Sequence, residues 1–220
     1  METGNQTQVI VIAEAPVPGL VKTRLTPPLR PREAALVAEA ALADTLDVVA
    51  SVAVARRVLM LDGAPGDWLP AGFDVIGQRG GGQGERLAAA FADVYAARPL
   101  PMVLIGTDTP QVTAVMIDDA VASLESGEAD AVFGPAANGG FWLLGLRRPD
   151  RSLLAGVSMK APEAGRVLLE RLAGDGLRVA LAPRLTDLGG FDAAEQVARE
   201  IPASRFAATF TASASGLSAA

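Results

Sequence analysis

The sequence contains no cysteine and no histidine among its 220 residues. The absence of cysteine excludes disulfides, thiol nucleophiles and thiolate-bound zinc. The absence of histidine excludes Ser-His-Asp triads, imidazole acid–base chemistry and histidine metal sites. Any chemistry of this chain must therefore use carboxylates, lysine, arginine, hydroxyl groups and backbone amides. A metal, if one is used, would be a hard cation bound through oxygen.

Positive charge and long apolar runs are also scarce. The chain has 19 Lys and Arg residues against 25 Asp and Glu, a formal net charge of −6, which disfavours a nucleic-acid partner. No apolar stretch approaches the ~20 residues of a membrane-spanning helix. The polar N-terminus lacks the basic segment of a signal peptide. We therefore expect a cytoplasmic protein without nucleic-acid or membrane partners.

The sequence does contain a regular alternation of apolar β-branched segments with Ala- and Leu-rich segments. Examples are residues 9–13 and 52–61, which predict strands, and residues 32–49, which predict a helix. This alternation predicts an α/β three-layer sandwich with a mostly parallel central sheet. We predict a single domain over residues 1–202. The small polar residues of 203–220 predict a disordered tail.

Ligands bind at the carboxyl ends of the strands in such sheets, so the loops after the strands are the candidate sites. The proline-rich loop after the first strand contains two cations, Lys22 and Arg24. Either these side chains bind phosphate, or the loop is a solvated surface loop without a ligand. Only two of the 19 cationic residues are lysines, so a lysine here suggests a need for a compact ammonium. The glycine run 80–84 precedes a helix that is predicted to begin at about Glu85, with Arg86 in its first turn. It would present backbone amides to an anion or form a flexible turn.

Two acids occupy later loops. Asp108 follows a predicted strand, where a carboxylate is a ligand for Mg²⁺ beside phosphates or a helix cap. Asp187 precedes the last predicted helix and is the candidate second metal ligand. Between two predicted strands, Asn138-Gly139-Gly140 forms a turn or lets the backbone approach a ligand closely.

These segments together resemble the nucleotide-diphospho-sugar transferase superfamily, which has a GT-A-like fold. The resemblance covers about residues 9–200 and depends on three motifs: Pro18-Gly19-Leu20-Val21-Lys22-Thr23-Arg24-Leu25, Ile105-Gly106-Thr107-Asp108-Thr109-Pro110, and Gly134-Pro135 with Gly139-Gly140-Phe141-Trp142-Leu143-Leu144-Gly145-Leu146. The chain is most similar to a bacterial glycosyltransferase-like family, the radical-SAM/selenodomain-associated transferases. It is more distantly similar to the 2-phospholactate and phosphoenolpyruvate guanylyltransferases.

The resemblance implies a nucleotide site with Mg²⁺ or Mn²⁺. It implies catalytic roles for Lys22, Arg24 and Asp108, with the metal held by Asp108 and Asp187. It implies nucleotide contacts from the following residues: Ala13, Pro18, Gly19, Lys22, Arg24, Gly82, Gly84, Arg86, Gly139 and Gly140.

The sequence also departs from the family pattern. It has Asn138 and Gly189 where the family usually has carboxylates, and we expect that restoring both carboxylates would strengthen metal binding. Lys160 and Ala161 replace a usual Ser-Thr, which suggests a changed acceptor pocket.

Two enzyme activities fit this resemblance. The first is nucleotidyl transfer from an NTP to a small phosphate- or carboxylate-bearing acceptor, with release of pyrophosphate. Lys22 and Arg24 favour it, because cations stabilise the charge that grows on the leaving group. The second is glycosyl transfer from an NDP-sugar. A third alternative is a non-catalytic nucleotide-binding protein with a degraded metal site.

Overall fold

The computed structural model describes residues 6–154, 157 and 161–216. The strands are β1 (Gln8–Glu14), β2 (Arg56–Asp62), β3 (Asp74–Gly77), β4 (Met102–Ile105), β5 (Ala131–Pro135), β6 (Phe141–Leu146) and β7 (Val179–Leu181). The helices are α1 (Pro31–Ser51), α2 (Gln83–Ala97), α3 (Ala114–Glu125), α4 (Arg151–Leu154), α5 (Ala164–Gly174), α6 (Phe191–Glu200) and α7 (Arg205–Ser215), with a short 3-10 helix at Thr23–Leu25.

The strands form one seven-stranded sheet in the order β3-β2-β1-β4-β6-β5-β7. All neighbouring strands are parallel except β6, which is antiparallel to both β4 and β5. Side chains alternate between the two faces of β1, so Val9 and Val11 contact one helical layer and Ile10 the other. All three are fully buried, which is why the strand is a continuous apolar run.

Helices cover both faces of the sheet. The apolar stripes of α1 and α3 pack with the β1 face that includes Val9, and those of α2, α4 and α5 pack on the opposite face. Two ends are set by local chemistry: Pro31 starts α1, and the Thr113 hydroxyl accepts a hydrogen bond from the Met116 backbone to cap α3. The predicted three-layer α/β sandwich with a mostly parallel sheet is therefore confirmed.

The predicted disordered tail is wrong for residues 205–215, which form α7. Phe206 and Phe210 lie one turn apart and are buried against the outer side of α1, together with α6. Asp44 of α1 accepts a hydrogen bond from the Phe206 backbone at 2.8 Å. Ser204 caps the helix by accepting one from Ala207 at 3.0 Å. The two aromatic side chains on one face, the hydrogen bond to Asp44 and the Ser204 cap together hold this segment of otherwise small residues on α1.

The second strand also begins later than predicted, at Arg56 instead of residue 52. Helix α1 continues to Ser51, and Arg57 of β2 closes its end by donating hydrogen bonds to the carbonyls of Val49 and Val52. The Val49 carbonyl also accepts a hydrogen bond from the Val52 backbone N–H at 3.3 Å, and the arginine adds to this cap, so it stabilises the turn that separates helix from strand.

The topology places the predicted site loops at one edge of the sheet. The parallel strands end there, and antiparallel β6 starts there, so the loop 136–140 reaches the same edge. The order of the strands reverses between β1 and β4, and such a switch point opens a crevice in the sheet edge. Among the described residues, no helix combines the length and apolar character needed to cross a bilayer.

Candidate functional site

A cleft of about 750 Å³ opens at this switch point. Its wall is formed by the end of β1, the loop 20–24, the start of α2, the loop after β4, and the loops 138–140 and 187–189. Three cations line it, Lys22, Arg24 and Arg86, and so do three acids. The acids are Glu14, Asp108 and Asp187. The cleft therefore holds balanced opposite charges, although the whole chain is acidic.

Most of the predicted site residues line this cleft: Ala13, Lys22, Arg24, Gly82, Arg86, Asp108, Gly140 and Asp187. Four others do not, namely Pro18, Gly19, Gly84 and Gly139. Gly19 has φ of 81° and Gly139 has φ of 87°, so both shape the loops whose neighbours line the cleft. Lys160 lies outside the described residues. The ligand-binding roles of all these residues stay predictions.

The loop after β1 presents two cations in different states. Lys22 is largely buried, and its ammonium forms an ion pair with Asp108 across the cleft. Arg24 is exposed, lines the cleft, and makes no hydrogen bond or ion pair with any other residue that the structure describes. A cleft that holds an ammonium and a guanidinium without a partner among the described residues is suited to an anionic ligand.

Asp187 is engaged by Asn138. The Asn138 backbone N–H donates to Asp187 Oδ1 at 3.2 Å, and its side-chain Nδ2 donates to Oδ2 at 2.7 Å. The Asn138 carbonyl Oδ1 in turn accepts a hydrogen bond from Gly140 N–H at 2.8 Å. Asp187 is nearly buried, so these donors replace the water that the carboxylate loses. The Asn138 side-chain amide and backbone N–H thus stabilise the Asp187 carboxylate without a cation.

The loops of the two acids are joined directly. The Leu188 backbone N–H donates to the Asp108 carbonyl at 2.8 Å. Buried Gln111 strengthens this connection by donating to the Thr186 carbonyl at 2.6 Å. The loop after β4 and the loop before α6 therefore form one wall of the cleft.

Close backbone contacts hold the glycine loop 138–140 against the start of α5. Gly165 N–H donates to the Gly139 carbonyl at 2.8 Å. A Cβ on Gly165 would lie 2.5 Å from the Gly140 oxygen, and one on Gly139 would lie 1.7 Å from the Pro162 oxygen. Both distances are far shorter than van der Waals contact, so glycine is required at both positions.

The opposite side of the cleft is organised by Gln78. Its Nε2 donates to the carbonyls of Ala13 at 2.6 Å and Met60 at 3.0 Å, which ties the ends of β1 and β2 together. Arg86 donates to Asp62 Oδ2 at 2.5 Å, so its guanidinium is held beside this corner. These contacts give the cleft a rigid floor below the glycine run.

Sequence reasoning missed Gln78, Glu14 and the contact between Asn138 and Asp187. Gln78 and Glu14 follow their strands directly, so the rule that sites form at strand ends could have found them. The contact of Asn138 with Asp187 spans 49 residues and has no local signal. Gly165 was also missed, although it carries a local signal. Glycine is unfavourable in a helix, so its presence in the first turn of α5 indicates that another backbone segment comes close.

The oxygen donors of the cleft fit a divalent cation only in part. The Asp108 side chain is 68% exposed, so a hard cation fits this carboxylate, with phosphate oxygens and water completing its shell. Asp187 fits only if Asn138 gives up its hydrogen bonds. No group of three or more acidic, His or Cys side chains suited to a metal occurs among the described residues. The cleft therefore lacks a preformed all-protein cage, and Asp108 is the residue that would hold a cation.

Comparison with solved structures identifies the fold as that of nucleotide-diphospho-sugar transferases. A candidate nucleotide-diphospho-sugar transferase from Desulfovibrio desulfuricans G20 matches with a TM-score of 0.87 and 21% identity, covering 97% of each chain. Residues 36–161 match the family described as "Uncharacterized protein conserved in bacteria (DUF2064)". Because the match spans more than half of the chain, this protein belongs to that family. None of the curated proteins matches it in sequence.

Two further solved structures share the fold at lower similarity. Rv0371c from Mycobacterium tuberculosis H37Rv, in complex with manganese, has a TM-score of 0.53 and 16% identity, covering 87% of this chain and 97% of that one. CMP:2-keto-3-deoxy-manno-octonic acid synthetase in complex with CTP has a TM-score of 0.55 and 12% identity, covering 90% and 98%. Such low identities establish a common fold only. The narrower resemblance to radical-SAM-associated transferases and guanylyltransferases stays a prediction.

Proposed function

We propose that this protein is a nucleotide-dependent transferase that moves a nucleotidyl group from an NTP to a small phosphate- or carboxylate-bearing acceptor. The observation that supports this most is the meeting of Lys22 and Arg24 with Asp108 in one cleft at the switch point of the sheet. In the reaction, an acceptor oxygen forms a bond to the α-phosphorus. The bond from that phosphorus to the bridging oxygen breaks, and pyrophosphate leaves with the bonding electrons.

The two cations suit this leaving group. Charge accumulates on the β- and γ-phosphates as pyrophosphate departs, and fixed cations near those oxygens lower the barrier. Arg24 has its donors free of protein partners within the described residues, and Lys22 is held nearby by Asp108. A divalent cation at Asp108 would supply further Lewis-acid stabilisation of phosphate oxygens. Mg²⁺ and Mn²⁺ are the expected cations, by analogy with the manganese complex of the mycobacterial neighbour.

The acids of the cleft favour an acceptor that is already ionised. Asp108 is paired with Lys22, Asp187 accepts from Asn138, and the sequence has no histidine. Glu14 remains, but it lies at the end of β1 opposite Asp62 of β2, on the Gln78 side of the cleft. A phosphate or carboxylate acceptor needs no general base, whereas a sugar hydroxyl does.

The two sides of the cleft have different roles in this proposal. The nucleoside would lie over Gln78 and the glycine run 81–82, with its phosphates directed to Lys22 and Arg24. The acceptor would lie near the loop 138–140 and Pro162, where the backbone is held by the close contacts with α5. The alternative of glycosyl transfer is favoured by the name of the Desulfovibrio neighbour, which shares the fold along 97% of its chain.

The proposal is tested by measuring pyrophosphate release from each NTP with Mg²⁺ or Mn²⁺ and a panel of small phosphate- and carboxylate-bearing acids. Arg24→Gln should reduce the rate about 10²–10³-fold, because one preorganised charge donor is lost. Arg199→Gln is the matched control, since Arg199 pairs with Glu195 on the exposed face of α6.

The possible outcomes separate the alternatives. Release of NDP from NDP-sugars without pyrophosphate release from NTPs would establish glycosyl transfer instead. A rise in melting temperature with a nucleotide, but without turnover of any donor, would indicate a non-catalytic binding protein. If no NTP or NDP-sugar stabilises the protein, the cleft does not bind nucleotides and the proposal is refuted.

A further inference from the structure

The ammonium group of Lys22 lies on Asp108, an exposed carboxylate of the cleft. Lys22 Nζ pairs with Asp108 Oδ1, and the lysine side chain is only 10% exposed whereas the aspartate side chain is 68% exposed. The protein thus supplies the positive charge from its buried side, while Asp108 stays open to solvent. A compact ammonium beside this oxygen opposes the approach of a second cation.

The backbone at Lys22 is specialised for this placement. It has φ of 46° and ψ of 38°, and it is the one non-glycine residue with positive φ within the described residues. Residues other than glycine rarely adopt this left-handed backbone conformation, and where they do, the surrounding structure must hold it in place. Here the Lys22 carbonyl accepts a hydrogen bond from Leu25 N–H at 2.9 Å, at the start of the short 3-10 helix.

Asp187, another acid of the cleft, also has hydrogen-bond partners from the chain itself. Both oxygens of Asp187 accept hydrogen bonds from Asn138, and these donors carry no formal charge. Asp108 and Asp187 therefore each have a partner from the chain itself. A cation that approaches Asp108 therefore meets the ammonium of Lys22 on the same carboxylate.

We propose that Lys22 is an internal counter-ion that keeps divalent cations off Asp108 until a phosphate group binds. A nucleotide phosphate competes with Asp108 for the ammonium, and the carboxylate that it releases then becomes available to the cation. The cation and the nucleotide consequently bind together and not one by one. The release of Asp108 by a nucleotide phosphate rests on the proposed function. The first half of the proposal, in which Lys22 keeps the cation off Asp108, concerns the protein and the cation alone.

That first half is tested with Mn²⁺ as the probe, by electron paramagnetic resonance of the free ion without nucleotide. Lys22→Met removes the charge at similar length and should tighten Mn²⁺ binding about tenfold or more, because a unit charge so close to a divalent cation is strongly repulsive. Lys22→Gly removes the charge in a residue that prefers the left-handed backbone, so it tests the idea without straining the loop. Lys22→Arg keeps the charge and should leave binding weak.

Two controls locate the effect. Lys22→Met combined with Asp108→Asn should lose the gained affinity, and Arg199→Gln, which removes one positive charge far from the cleft, should not change it. Unchanged Mn²⁺ affinity in both folded Lys22→Met and Lys22→Gly would overturn the proposal. Wild-type protein that binds Mn²⁺ as tightly as these variants would overturn it as well.

Failure of this proposal is distinguishable from failure of the proposed function. If the wild type releases pyrophosphate but the variants show no gain in Mn²⁺ affinity, the counter-ion role is wrong and the transferase stands. If the variants gain affinity but no nucleotide binds, the counter-ion role in the metal site stands and the nucleotide chemistry is wrong.

Discussion

The contact between Asn138 and Asp187 predicts that Asn138→Asp is severely destabilising. It replaces an N–H donor that lies 2.7 Å from Asp187 Oδ2 with an anionic oxygen. Loss of a hydrogen bond to a charged acceptor costs about 1.5–3 kcal/mol. Two like charges at such a distance repel by about 6 kcal/mol at an effective dielectric constant of ~20, and by roughly half that if the groups separate to ~5 Å. We expect a net loss of about 4 kcal/mol in the free energy of unfolding.

The measurement is urea unfolding at neutral pH in the presence of a chelator. Asn138→Ala should cost only about 2 kcal/mol, because it removes the donor without adding charge. The exchanged pair, Asn138→Asp with Asp187→Asn, should recover most of the loss. It reverses donor and acceptor in the side-chain bond, and it leaves an oxygen for the backbone N–H of residue 138 and another for that of Gly140.

The same substitution bears on the expectation that restoring carboxylates strengthens metal binding. Two adjacent carboxylates are a ligand pair for a hard cation, so Mn²⁺ should return part of the lost stability to Asn138→Asp. Adding Gly189→Asp is less promising, since a Cβ there would lie 2.8 Å from Asp187 Oδ2. If Asn138→Asp is as stable as the wild type in chelator, or if the exchanged pair recovers nothing, the hydrogen bond does not hold the loop as described.

Three further outcomes are expected. Phe206→Ala should cost about 3–5 kcal/mol in urea unfolding, because the side chain is fully buried, whereas an unchanged transition would mean that α7 is not docked. The side-chain hydrogen bond from Arg178 holds the pKa of Asp130 at about 2 instead of 3.8, so this pair stabilises the fold above about pH 4 and the effect is lost as the pH falls towards 2. Asp130→Asn should therefore lower the melting temperature near neutral pH and not at pH ~2, and a difference independent of pH would contradict this. Gly165→Ala should reduce the melting temperature and weaken nucleotide binding together, because its methyl group would lie 2.5 Å from the Gly140 carbonyl oxygen and would displace the cleft loop. An unchanged melting temperature and unchanged nucleotide binding would refute the close contact.

The fold was predictable because its signals are local. Residues 32–49 have apolar spacing of helical period, and the structure extends that helix by only one residue at its start and two at its end. Val52 and Val54 misled the prediction of β2, since β-branched residues also pack in the turn after a helix. In the tail, a helix was missed where disorder was predicted. Composition averages over a window and conceals the two phenylalanines that share one helical face.

The site was predictable only in its position. The rule that loops at strand ends meet at one edge brought Lys22 and Asp108 into the same cleft, although they are 86 residues apart. No sequence rule gives which atoms then pair, since pairing depends on tertiary distances of a few ångströms. The contacts of Gln78 with the ends of β1 and β2 belong to this class, and so does the use of Asn138 as a donor to Asp187.

The docking of α7 on α1 has a consequence for synthesis of the chain. Helix α1 leaves the ribosome about 160 residues before α7, an interval of roughly 10–30 s at bacterial elongation rates of ~5–20 residues/s. During this interval the outer stripe of α1 that includes Val37 and Ala41 lacks the cover that Phe206 and Phe210 provide. The nascent chain therefore exposes an apolar surface that folding factors or other nascent chains can bind, and the arrival of Phe206 and Phe210 completes its cover.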